Sequence, residues 1–165
     1  MCWCVMLRLS VPIGQSVRMT EVSYIAEQVP MPALNRAAVV QWIERVAQSH
    51  HKAVGRLTYV FCNDEYILGI NRQFLQHDYY TDIITFDYSN SKRVSGDMVI
   101  SLDTVKSNAE QLGKNYNEEL LRVIIHGVLH LCGINDKGPG EREIMESLEN
   151  EALAIVPENI FEDEV

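Results

Sequence analysis

The sequence predicts a single α/β (α+β) domain, one small sheet of about four strands with five or so helices packed on it. Three observations carry that expectation. The chain has 165 residues, 47% of them apolar, which is one domain's length and enough to bury one sizeable core. Helix-period and strand-period segments interleave along it, with no internal repeat and no linker. One stretch, residues 120–131, is apolar almost throughout and reads as a buried helix.

Residues 1–18 differ in character from the rest of the chain, with Trp3, Cys2, Cys4 and a Pro-Ile-Gly break. They are expected to be a misassigned start or a floppy extension ahead of a domain spanning residues 19–157. Residues 22–26 suit a first strand, and Pro30-Met31-Pro32 a turn. Asn35 caps a helix whose apolar face is Val39, Val40, Trp42, Ile43, Val46 and Ala47. His50-His51 at its end reads as a solvated terminus favoured by the helix dipole, not as a metal site. Residues 56–61 alternate Leu57, Tyr59 and Phe61 on one face and form a strand. Asn63-Asp64 caps a helix over 66–75. Residues 83–86 are β-branched and aromatic, Asn90-Ser91-Lys92 is a turn, and 98–101 is a strand, so the span 81–101 reads as a hairpin. Three helices complete the domain: 102–112 ending at Gly113, a second beginning at Asn117, and a last starting at Pro139. The acidic tail, residues 158–165, is expected to be disordered.

Composition excludes several classes. No apolar run reaches the roughly 18 residues a membrane helix needs, and residues 1–9 lack the basic start of a signal peptide. Four cysteines without framework spacing fit a reducing cytoplasm. A net charge of −9 argues against a general polyanion binder, so any nucleic-acid role must rest on a local patch or a metal.

The chemistry concentrates in His126-Gly127-Val128-Leu129-His130-Leu131-Cys132-Gly133-Ile134-Asn135-Asp136. At about 100° per residue, His126 and His130 share one helix face and can reach one ion. Gly133 offers the left-handed residue that ends a helix, and the turn after it can return Asp136 to the same point. Two imidazoles, one carboxylate and an open position make a catalytic zinc site, not a closed structural one. The spacing matches the ligand frame of metzincin peptidases, but Gly127 stands where their catalytic glutamate belongs. Cys132 lies about 200° round the helix from His130 and faces away.

His126-Gly-Val-Leu-His130-Leu-Cys-Gly133 followed by Asp136 resembles the signature of the YbeY family, bacterial endoribonucleases that mature ribosomal RNA. Ile70-Asn71-Arg72-Gln73-Phe74, Asp78, Thr81-Asp82-Ile83-Ile84-Thr85-Phe86 and Gly96-Asp97-Met98-Val99-Ile100-Ser101 are similar to further segments of that family, so the likeness covers residues 55–150. It implies a mixed sheet, one zinc ion, cleavage of single-stranded RNA, and work at the 3′ end of small-subunit ribosomal RNA and in ribosome quality control. The partners implied are RNA and the small ribosomal subunit with its proteins, in the cytoplasm and away from any membrane.

Two positions depart from the family. Asp136 replaces the usual third histidine, which lowers the site's charge by one unit and also suits iron or manganese. Leu75 replaces an arginine, leaving Arg72, His77 or Lys137 to supply positive charge. Asp82 and Asp97 are candidates to orient a histidine or accept a proton, with Asp82 equally a turn carboxylate. The expectation is therefore metal ligands His126, His130 and Asp136, and catalytic candidates Arg72, Asp82 and Asp97. The rivals are a zinc peptidase lacking its glutamate and a non-catalytic ribosome-assembly factor with a structural metal.

Overall fold

The computed structural model describes residues 5–8, 20–76 and 80–162. Among them are five strands, β1 (Val5–Arg8), β2 (Glu21–Glu27), β3 (Ala53–Cys62), β4 (Ile83–Asp87) and β5 (Arg93–Ser101). Five helices accompany them: α1 (Arg36–Ser49), α2 (Asp64–Leu75), α3 (Leu102–Leu112), α4 (Tyr116–Leu131) and α5 (Glu141–Ala154). The strands form one mixed sheet in the order β1-β4-β5-β3-β2. β2, β3 and β5 run parallel, as does β1 beside β4, while β4 and β5 are antiparallel across a tight connection. Asn90 makes that connection, its side-chain oxygen accepting from the backbone of Lys92 and Arg93.

Local signals act as the sequence suggests. Asn35 accepts from the Ala38 amide and Asn63 from the Tyr66 amide, satisfying helix-start donors that would otherwise be orphaned. α3 ends at Gly113 in the left-handed conformation.

Alternation along the strands divides the core in two. Tyr59, Phe61, Ile83, Met98 and Ile100 bury one face under α1 and α4. Cys62, Ile84 and Val99 bury the other against Ile67 of α2. Trp42 of α1 is fully buried and donates its indole N–H to the Ala152 carbonyl at 2.8 Å, tying α1 to α5.

Three expectations need correction. Val5–Arg8 is not a free extension: it pairs with β4 from Val5↔Ile84 to Arg8↔Asp87 and makes a fifth strand. An edge strand is specified by a partner's open backbone groups more than by its own pattern, so the stretch has no strong local signature. The start of the tail is ordered too, since Ile160 is buried, its carbonyl accepts from Asn35 N–H, and Phe161 bridges Leu34. Two apolar residues in an acidic stretch are enough to anchor it. The last helix begins at Glu141, not Pro139; Gly140 precedes it in a left-handed conformation and the Glu141 carboxylate accepts from the Gly138 amide.

Candidate metal centre

The site is built on α4. Asn115 starts the helix by accepting from the amides of Asn117 and Glu118, two residues earlier than Asn117 alone suggests. Twelve of its sixteen residues are buried, both histidines among them. Gly127 lets the helix press onto the sheet: a Cβ there would lie 2.7 Å from Met98 Sδ and 3.0 Å from Ile83 Cδ1. A glutamate there, as in zinc peptidases, would have to displace the Met98 and Ile83 side chains.

The helix stops in a Schellman turn. Gly133 has φ +96°, its N–H donates to the His130 carbonyl, and the Ile134 N–H reaches back to Leu129. The reversal brings Asp136 back over the histidines. His126 Nε2 and His130 Nε2 are 3.0 Å apart, and each lies 3.4 Å from Asp136 Oδ2. A tetrahedral ion with bonds of about 2.0–2.1 Å separates its ligand atoms by about 3.3 Å, so the three donors already stand near the corners such an ion requires. His126, His130 and Asp136 could therefore hold one metal ion. Burial pushes the Asp136 carboxyl up, but the two imidazoles that face it outweigh burial and hold the group well below the usual carboxylate range. It is therefore an anion aimed at two imidazoles.

Sequence reasoning missed Glu149 and Arg122. Glu149, on α5, is buried and its Oε2 lies 2.6 Å from His126 Nδ1. Arg122, one turn before His126 on α4, donates to Glu149 Oε1 at 3.2 Å and to Asn150 Oδ1 at 2.9 Å. A signal for both was present. Glu119, Arg122, His126 and His130 form a polar stripe at spacings of three and four on an otherwise apolar helix. Glu149 likewise shares the buried face of α5 with Met145 and Ala152.

A cleft of about 630 Å³ opens beside His126 and Asp136, lined also by Asp82, Lys114, Glu119, Arg122, Lys137 and Arg142. Of the catalytic candidates, Asp82 stands in that wall, almost wholly buried. Asp97 does not join it: its neighbours Gly96 and Met98 face α4, so it points to the opposite side of the sheet, where it accepts from the Tyr88 hydroxyl at 3.3 Å. Arg72 lies exposed on α2, and Leu75 packs against the second core. His77 and Asp78 lie outside the described residues. Cys132 packs on the main core, and burial pushes its thiol up to about 11.

The family model described as Endoribonuclease YbeY matches residues 23–156. The chain belongs to the YbeY family. Its endoribonuclease YbeY relatives include that of Parabacteroides distasonis, 62% identical over 83% of this chain and 96% of the relative. That of Bacteroides thetaiotaomicron is 62% identical over 81% and 98%, and that of Porphyromonas gingivalis 51% over 86% and 94%. The solution structure of TM1509 from Thermotoga maritima shares the fold, with a TM-score of 0.59 at 23% identity over 82% of this chain and 88% of that one. Membership of the YbeY family gives the α4 histidines a context that a lone pair on an apolar helix lacks. Among the described residues, no helix is long and apolar enough to cross a membrane.

Proposed function

We propose that the protein is a metal-dependent endoribonuclease that cuts single-stranded RNA. Its substrate is taken to be the 3′ region of small-subunit ribosomal RNA, with a role in ribosome quality control in the cytoplasm beside the small subunit and its proteins. The observation that carries the reading is the convergence of His126, His130 and Asp136 at spacings that fit a tetrahedral ion, with His126 and Asp136 lining a cleft.

Zinc is the proposed ion, held by His126 Nε2, His130 Nε2 and Asp136 Oδ2 with one position left for substrate. When bound, it supplies Lewis acidity toward a phosphoryl oxygen. The chain's own residues do the rest. Lys114, Lys137 and Arg142 line the cleft and offer positive charge to a phosphodiester backbone, a task that exposed Arg72 on α2 is badly sited to perform. Asp82, which lines the same cleft as His126, is the carboxylate assigned to hold or pass a proton. Asp97, turned to Tyr88, is given no part in the chemistry.

The crowding at Gly127 disfavours the peptidase rival. The assembly-factor rival draws on the net charge of −9, which suits docking on basic ribosomal proteins. Metal content and cleavage of a single-stranded RNA, measured on one preparation of wild type and of His130→Ala, separate these readings. Joint loss of metal and cleavage in the variant supports the nuclease. A wild type that holds one metal ion and leaves RNA intact puts the assembly factor ahead.

A further inference from the structure

We infer that Glu149 is a positioning residue that sets the tautomer of His126 and so makes the three-donor site competent for a cation. The inference rests on the proposed metal site and adds a residue, contributed by a different helix, on which that site depends.

A neutral imidazole carries one N–H, so one ring nitrogen donates and the other accepts. His126 meets a carboxylate at Nδ1, 2.6 Å from Glu149 Oε2, a close hydrogen-bonding contact. Its Nε2 meets His130 Nε2 at 3.0 Å and Asp136 Oδ2 at 3.4 Å. If the proton sits on Nδ1, the Nε2 lone pair points at the centre of the three donors. If it sits on Nε2, that N–H points there instead and a cation is repelled. Glu149 decides between the two by accepting from Nδ1.

Glu149 is itself held. Arg122 donates to its other oxygen at 3.2 Å and to Asn150 Oδ1 at 2.9 Å, so the carboxylate is gripped from α4 by a guanidinium that is itself tied to α5. The side chains of Arg122 and Glu149 are only 15% and 10% exposed, which shields the contact from solvent. Partners of this kind behind a metal-binding histidine affect affinity by about 10–100-fold when removed.

The competing account is purely structural: Glu149 and Arg122 merely pin α5 to α4. Two variants and two readouts separate it from positioning. Glu149→Gln keeps the shape but can present an amide to Nδ1; Arg122→Met breaks the interhelix ion pair and leaves Glu149 in place. Zinc affinity of the metal-stripped full chain is measured by competition with a chromophoric chelator, and the protonated ring nitrogen of His126 is read by ¹⁵N NMR of the same apo protein. Positioning predicts that wild-type His126 carries its proton on Nδ1. It also predicts that Glu149→Gln loses that preference and about 10–100-fold in zinc affinity, beyond any loss in Arg122→Met. Equal zinc affinity in wild type and Glu149→Gln overturns the inference and leaves the metal reading intact. A wild type that takes up no zinc overturns the metal reading itself; an Nε2-protonated His126 in the apo protein overturns the tautomer assignment whether or not zinc binds.

Discussion

Two helices lie on opposite faces of the same sheet, and each has a glycine in its interior. Gly127 of α4 is buried, and a methyl group there would sit 2.7 Å from Met98 Sδ. Gly69 of α2 is exposed, and nothing stands within 4 Å of the same methyl. The first glycine is a distance device that lets a histidine-bearing helix lie tight on β4 and β5. The second has no such task. The polar groups show the same division. The α4 face gathers Asp82, Glu119, His126, Asp136 and Glu149 around one cleft, with His130 behind them, whereas the α2 side carries Arg72 exposed and Leu75 tucked into a small apolar cluster. A site whose donors must hold their spacing to a few tenths of an ångström belongs on the helix with the least freedom.

That contrast can be broken outright at Gly127. Gly127→Glu, which would restore the peptidase motif, is expected to cost more than about 4 kcal/mol, because it forces bulk and a charge into the sheet contact. Failure to fold, or a fall in Tm beyond that of Gly127→Ala, is the expected result. Gly127→Ala should cost about 1–3 kcal/mol by overpacking, offset by about 0.5–1 kcal/mol of helix propensity, so it should be less stable than Gly69→Ala by urea midpoints at unchanged slope. A Gly127→Ala stabilised as much as Gly69→Ala would show that α4 does not press on the sheet as described.

Glu119 sharpens the polar side of the contrast. Burial raises its carboxyl above the usual value, with Lys114 and Arg122 opposing and Asp82 and Glu149 reinforcing the shift. The folded protein therefore keeps this proton to higher pH than the unfolded chain, whose value is about 4.3. Stability is lost as pH rises from there through the folded value. Glu119→Gln removes that penalty, so Tm should rise by about 2–4 °C near pH 7, as about 1 kcal/mol does in a domain of this size. The gap to wild type should close toward pH 4; a gap constant with pH would contradict the burial argument.

The α2 face should respond weakly and with the opposite sign. Gly69→Ala is expected to stabilise by about 0.5–1 kcal/mol through helix propensity alone. Arg72→Ala should change stability by less than about 0.5 kcal/mol and leave metal content as in wild type. Altered metal content in Arg72→Ala would mean the two faces are coupled in a way their separate packing does not suggest.

The order of elements from β2 onward, the caps at Asn35 and Asn63, and the group of His126, His130 and Asp136 that could hold a metal were legible in the chain before it folded. Those features depend on short-range periodicity: an i, i+4 pair of histidines shares a face whatever surrounds the helix, and a glycine such as Gly133 accepts a left-handed turn on its own account. Which carboxylates serve the site was settled by packing instead. Glu149 reaches His126 from 23 residues away because α5 packs on α4, while Asp97, inside a family-like motif, is turned from α4 by the two-residue alternation of β5. Packing also brought Val5–Arg8 and Ile160–Phe161 into the fold, since both are held by open groups of distant elements and not by a pattern of their own. Local chemistry writes the candidate donors into the chain; the packing of one helix on another brings Glu149 to His126.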